Sequence, residues 1–149
     1  MQKIIPVILF LTLIGACTML TLQPANFAWP IESVVPIDEN GNVMENRYST
    51  EFNTIAMFYE EFQDSSCYRG KEIRLIRDDK GYYYITCSKF KNVYVFNAED
   101  GKLVLENKIF ISEFGIEEPA FNQRSPFIEL LDGDKKINLT NEGIQGDKE

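Results

Sequence analysis

KEIRLIR (71–77), DDKG (78–81) and YYYITCS (82–88) decide the fold. The flanks are β-branched and aromatic, and the four residues between them are polar and end in glycine, so the stretch predicts an antiparallel hairpin. NVYVFN (92–97), AEDG (98–101) and KLVL (102–105) repeat that layout, and two hairpins in series make a meander. Alternation along the second flank puts Tyr82 and Tyr84 on one face and Tyr83, Ile85 and Cys87 on the other. With Tyr94 and Phe96 on the next strand, the aromatics allow two readings. Where both faces are covered they are core; where one is open, Tyr82, Tyr84, Tyr94 and Phe96 form a binding face for a glycan, a peptide or an apolar molecule.

Upstream, SVVPI (33–37) reads as a short strand and DENGN (38–42) as a turn built on Asn40-Gly41. Its acidic spacing lacks the glutamate that a calcium loop carries at its twelfth position, where Ser49 stands, so no metal site is assigned. Residues 47–54 alternate with a period of two and predict a strand. Phe52, Ile55, Ala56, Tyr59 and Phe62 fall on one helical face, and a short helix is predicted over 55–62. Downstream, Ile109-Phe110-Ile111 predicts a separate strand, the prolines and amides of 119–126 a long loop, and FIELL (127–131) with KINL (136–139) a last hairpin. The acidic, glycine-bearing residues 141–149 predict a disordered tail. The expected fold is therefore mainly β: a small antiparallel meander or sandwich, or a partly closed barrel, of about six to eight strands with at most one short helix.

The amino terminus carries a different signal. Lys3 is followed by an apolar run from Ile4 to Ile14, and Leu13-Ile14-Gly15-Ala16-Cys17 sets small residues directly before a cysteine. The segment resembles the lipobox of bacterial lipoproteins. That resemblance implies removal of residues 1–16 as a signal peptide, acylation of Cys17 on its sulfur and new amino group, and a membrane contact made by lipid. It also implies, from Thr18 rather than an aspartate after the cysteine, sorting to the outer membrane of the cell envelope. An uncleaved membrane anchor over Ile4 to Leu22 and ordinary secretion are the competing readings. Residues 17–30 would be a lipidated tether, spanning roughly 20 Å as a flexible chain. Trp29, at its end, is read as a first core residue or an interfacial aromatic. Residues 31–140 would form a single β-rich domain.

Residues 81–104 also look like one blade of a quinoprotein-type or WD-type β-propeller. No second copy follows in the chain, so neither that fold nor its cofactors are assigned.

Composition narrows the function further. Without its leader the chain would carry a net charge of −9, against −8 for all 149 residues, which disfavours nucleic acid and leaves lipid as the membrane contact. Cys67 and Cys87 would remain, and an even pair in an exported domain predicts a disulfide worth about 3 kcal/mol; two buried free thiols are the alternative. The sequence has no histidine, which removes Ser-His-Asp and Cys-His catalysis and the usual zinc sites. The acidic pairs Glu60-Glu61, Asp78-Asp79 and Glu117-Glu118 fall in or beside turns and loops, where solvated charge explains them. No catalytic residue, metal or cofactor is assigned. The expected role is that of a protein-interaction or accessory module of the envelope, with a ligand-binding lipoprotein as the alternative and a carboxylate-dependent hydrolase, the one enzyme considered, as a remote third. A partner module should expose a sheet edge or apolar patch, a ligand binder a cavity lined by tyrosines, and a hydrolase two inward carboxylates in a cleft.

Overall fold

The computed structural model describes residues 31–146. The expected signal peptide, Cys17, the expected tether with Trp29, and the last three residues lie outside the described part.

Among the described residues eleven strands and one helix form two main sheets and a small hairpin, more strands than the sequence suggested, in open sheets with no closed barrel. The central sheet contains β1 (Ser33–Pro36), β4 (Glu72–Arg77), β5 (Tyr83–Thr86), β6 (Asn92–Glu99) and β7 (Lys102–Phe110), in that spatial order. Here lie the two hairpins expected from the sequence. Asp78 accepts the N–H groups of Lys80 and Tyr82, each at 2.9 Å, and closes the first. Asp100 and Gly101, both at positive φ, close the second as a two-residue turn between Glu99 and Lys102. The propeller-like segment 81–104 is part of this five-stranded sheet.

One face of the central sheet is covered by the second sheet, β8 (Pro119–Arg124), β9 (Phe127–Asp132), β10 (Lys135–Thr140) and β11 (Gly143–Gln145), which runs in the order β11-β10-β9-β8. Strand β8 lies against β4 and β11 against β7. Between the sheets Ile76, Tyr84, Val93, Val95 and Ile109 meet Ile116, Phe121, Ile128, Leu130 and Leu139. The opposite face is covered by the hairpin of β2 (Asn42–Glu45) and β3 (Thr50–Asn53) and by α1 (Ile55–Phe62). There Val43, Met57, Phe58 and Tyr68 pack against Ile73, Leu75, Tyr83, Ile85, Phe90 and Tyr94. The helix occupies the residues expected of it. Its start is fixed by Thr54, whose N–H and hydroxyl both donate to the Gly41 carbonyl at 2.8 Å.

Three expectations are corrected. Residues 119–126 are the strand β8 and its turn, since a proline is tolerated at the first position of an edge strand. Residues 109–111 start no new strand, because β7 runs unbroken to Phe110 across a bulge at which Glu106 has no partner on β6. The tail is ordered as far as Gly146: Asn141 and Glu142 turn the chain so that Leu139 pairs with Ile144.

Candidate functional site

Strand β7 is the longest among the described residues and one of the two outer strands of the central sheet. Its outer row of backbone groups has no neighbouring strand in that sheet, so it offers a template for an added one. Apolar side chains accompany that edge: Val104, Leu105 and Phe110 are each about half exposed, and Phe114, on the loop that follows, is 89% exposed. The sequence carries the reason in Leu103-Val104-Leu105. A strand sends neighbours to opposite faces, so Leu103 and Leu105 point to the helix side and Val104 to the other; Leu103 packs against the helix-side core, while Leu105, opposite Phe96, and Val104 stay near solvent. Charged groups border the edge. Lys108 pairs with Glu60 of α1, and the Asn107 amide donates to the Asn141 carbonyl at 3.0 Å.

The aromatic set singled out in the sequence does not form one surface. Tyr82 and Tyr84 lie on the face toward the second sheet, Tyr94 and Phe96 on the face toward the helix. Tyr84 and Tyr94 are each 1% exposed and are core residues. Their hydroxyls reach carboxylates from two of the acidic pairs that the sequence suggested were merely solvated. Tyr84 donates to Asp78 at 3.1 Å, and Tyr94 to Glu61 at 2.9 Å. Burial first, and then the neighbouring carboxylate, holds both phenols protonated well above the ordinary tyrosine range. Glu61 also accepts the Lys91 N–H and the Asn92 amide, so one carboxylate ties the end of α1 to the start of β6.

The expected bridge between Cys67 and Cys87 is absent, and both are free thiols. The Cys67 thiol donates to Asp64 at 3.2 Å in the turn after α1, which keeps it protonated above its usual range. Cys87 follows β5 in the helix-side core, where burial pushes its thiol up to about 11.

Among the described residues two clefts reach about 730 Å³, and no tyrosine lines either one. The first lies between β1 and β2 and is lined by Glu32, Asp38, Glu45 and Glu51. Glu45 is buried and accepts the Ser33 hydroxyl and the Tyr48 N–H, both at 2.7 Å. Asp38 accepts backbone N–H groups from Asn42 and Asn40, which hold its carboxyl below the usual range. That is the opposite of what a general acid requires. Glu32 joins Arg74 at 3.1 Å to the Phe121 N–H at 2.9 Å and so links β4 to β8. The second cleft combines Lys71 and Arg74 with Glu72, Glu117 and Glu118 beside Cys87. Among the described residues no group of three or more His, Cys, Asp or Glu side chains is placed to hold a metal ion.

No protein-family model, curated protein or solved structure matches this chain.

Proposed function

We propose that the protein is a lipid-anchored interaction module of a bacterial cell envelope, tethered through Cys17 to a membrane, with the outer membrane favoured. In this reading it binds a protein partner along the β7 edge. The supporting observation is that edge itself: a nine-residue outer strand flanked by exposed Val104, Leu105 and Phe110. A partner segment that adds a strand there gains main-chain hydrogen bonds and covers apolar surface in one step. Lys108 and the Glu106 bulge border the strand and limit indiscriminate edge-to-edge pairing.

The anchor and the edge are tested separately. Cys17→Ser should abolish labelling by radioactive palmitate and leave the precursor uncleaved; labelling that persists refutes the anchor. A photo-crosslinking amino acid at Leu105 should capture a protein in intact cells, and the same probe at exposed Met44, on the hairpin across the molecule, should not. Equal capture at both positions refutes the edge as the docking surface.

A further inference from the structure

Phe114 is the most exposed large apolar side chain among the described residues, and it stands on a loop that is held rather than loose. The N–H groups of Ile111 and Ser112 both donate to the Lys91 carbonyl, at 2.9 and 3.3 Å. On the far side, Lys89 donates to the Ile116 carbonyl at 2.7 Å, and Ile116 to that of Phe90 at 2.8 Å. Between these clamps the Gly115 N–H reaches the Ser112 carbonyl, and the Phe114 N–H reaches the Ser112 hydroxyl, each at 3.3 Å. Gly115 adopts a φ of +84°, and a Cβ there would stand 2.6 Å from the Lys89 carbonyl oxygen, so this turn requires glycine. Ile116 beyond it is fully buried between the sheets. The loop therefore spends core packing and six hydrogen bonds on a backbone whose tip holds a phenyl ring in solvent. A ring displayed on an already ordered backbone loses little further entropy when it is bound.

The surrounding charge indicates what receives it. Glu113 precedes Phe114 in the chain and Glu118 follows it by four residues; both are exposed and join no ion pair among the described residues, whereas Glu117 is paired with Lys89, which leaves the segment 111–118 acidic beside one exposed cation, Lys91. An aromatic side chain on an acidic loop complements an apolar pocket with a cationic rim. The same carboxylates oppose insertion of the ring into an anionic lipid surface.

We propose that Phe114 is the anchor residue of the docking surface, seated in an apolar pocket of the partner protein whose rim carries Lys or Arg side chains facing Glu113 and Glu118. This rests on the interaction-module reading and deepens it. The test uses the full-length chain in its own cells, with p-benzoylphenylalanine replacing Phe114 in one strain and Leu105 in another, followed by mapping of the crosslinked peptides. The expected result is one protein captured from both positions, with the Phe114 adduct in an apolar pocket bordered by basic residues. With that partner purified, Phe114→Ala should weaken binding about 30-fold, the scale of a truncated hot-spot aromatic. The double variant Glu113→Lys/Glu118→Lys should weaken it at least as much, and changing a rim Lys of the partner to Glu should restore it. Since the ring is exposed, Phe114→Ala should melt at the temperature of the parent chain, which separates lost docking from lost folding. A partner captured at Leu105 but not at Phe114 overturns the anchor and leaves the module standing; capture at neither position overturns both. Adducts formed at Phe114 only with lipid, or only with a second copy of this chain, also overturn the proposal.

Discussion

The two faces of the central sheet are covered by different kinds of core. Toward the second sheet the buried side chains are mostly aliphatic, with Ile76, Val93, Val95, Ile128, Leu130 and Leu139 interleaved as in a β-sandwich. Toward the helix they are rich in aromatic rings: Phe58 meets Phe90 edge to face at 4.8 Å, Phe90 meets Tyr94 at 6.0 Å, and Tyr48 meets Tyr83 at 5.6 Å. The difference follows from what covers each face. Two pleated sheets interdigitate branched side chains along their whole length. A single eight-residue helix and a short hairpin bring fewer side chains to the sheet than four strands do, and large rings cover the same face with fewer residues. The helix-side layer should therefore depend on a few large residues, and the sandwich layer on many smaller ones.

That contrast gives the largest expected effects. Phe58→Ala should destabilise the domain by roughly 4 kcal/mol, and Leu130→Ala by roughly 3 kcal/mol, each leaving a cavity where no atom now meets solvent. Denaturant unfolding measures both. Cys87, buried in the helix-side core, sharpens the comparison as a reporter. Its alkylation in the native protein should accelerate more in Phe58→Ala than in Leu130→Ala, and the reverse order would mean that the two layers do not open separately.

A polar group clamps each layer, and these clamps come next in size. Glu32→Gln removes the nearer of the two carboxylates facing Arg74 and should cost about 1 kcal/mol, because the partly buried guanidinium keeps only exposed Glu72, at 3.5 Å. Tyr84→Phe and Tyr94→Phe should each cost about 1 kcal/mol, since Asp78 and Glu61 keep their remaining donors. The tyrosines also predict a pH dependence. Folding raises both phenol pKa values above the unfolded value of about 10. Their contribution is therefore fully present below that pH and is lost as pH rises through the folded values, because only the unfolded chain releases these protons early. Stability measured from pH 9 to 11 should fall in the parent chain and fall less steeply in the double Phe variant. Equal slopes would show that the two hydroxyls are not linked to folding.

How much of this was legible beforehand follows the same division. The central hairpins and the helix were readable because their turn residues and apolar spacing agree with each other. Strand β2 was missed because its pattern is inverted: Met44 is exposed while Glu45 is buried against Ser33 and the Tyr48 N–H, so hydropathy points to the wrong face. The start of β8 carries proline, and the β11 hairpin is polar and short; long-range pairing fixes both, and local sequence does not encode it. The aromatic face was divided between two cores because alternation says which residues share a side and nothing about what covers that side. Phe114 escaped notice because a ring in a loop normally turns inward. The only local sign was Gly115 after it, marking a turn that holds the ring outward.

The smallest expected effect concerns the ion pair between Glu60 of α1 and Lys108 of β7, the surface link between the helix layer and the proposed docking edge. Both side chains are more than two-fifths exposed. Water and salt already screen such a pair, and holding two long side chains together costs rotamer freedom that offsets most of the attraction. Lys108→Ala should therefore change unfolding stability by no more than about 0.5 kcal/mol, with little further change when the salt is raised to 1 M. The helix is held instead by Phe58 beneath it and by Glu61, whose three donors come from the turn and strand it faces. A loss well above 1 kcal/mol in Lys108→Ala would mean that surface charge, rather than ring packing, seats the helix layer, and the contrast between the two faces would then rest on the wrong residues.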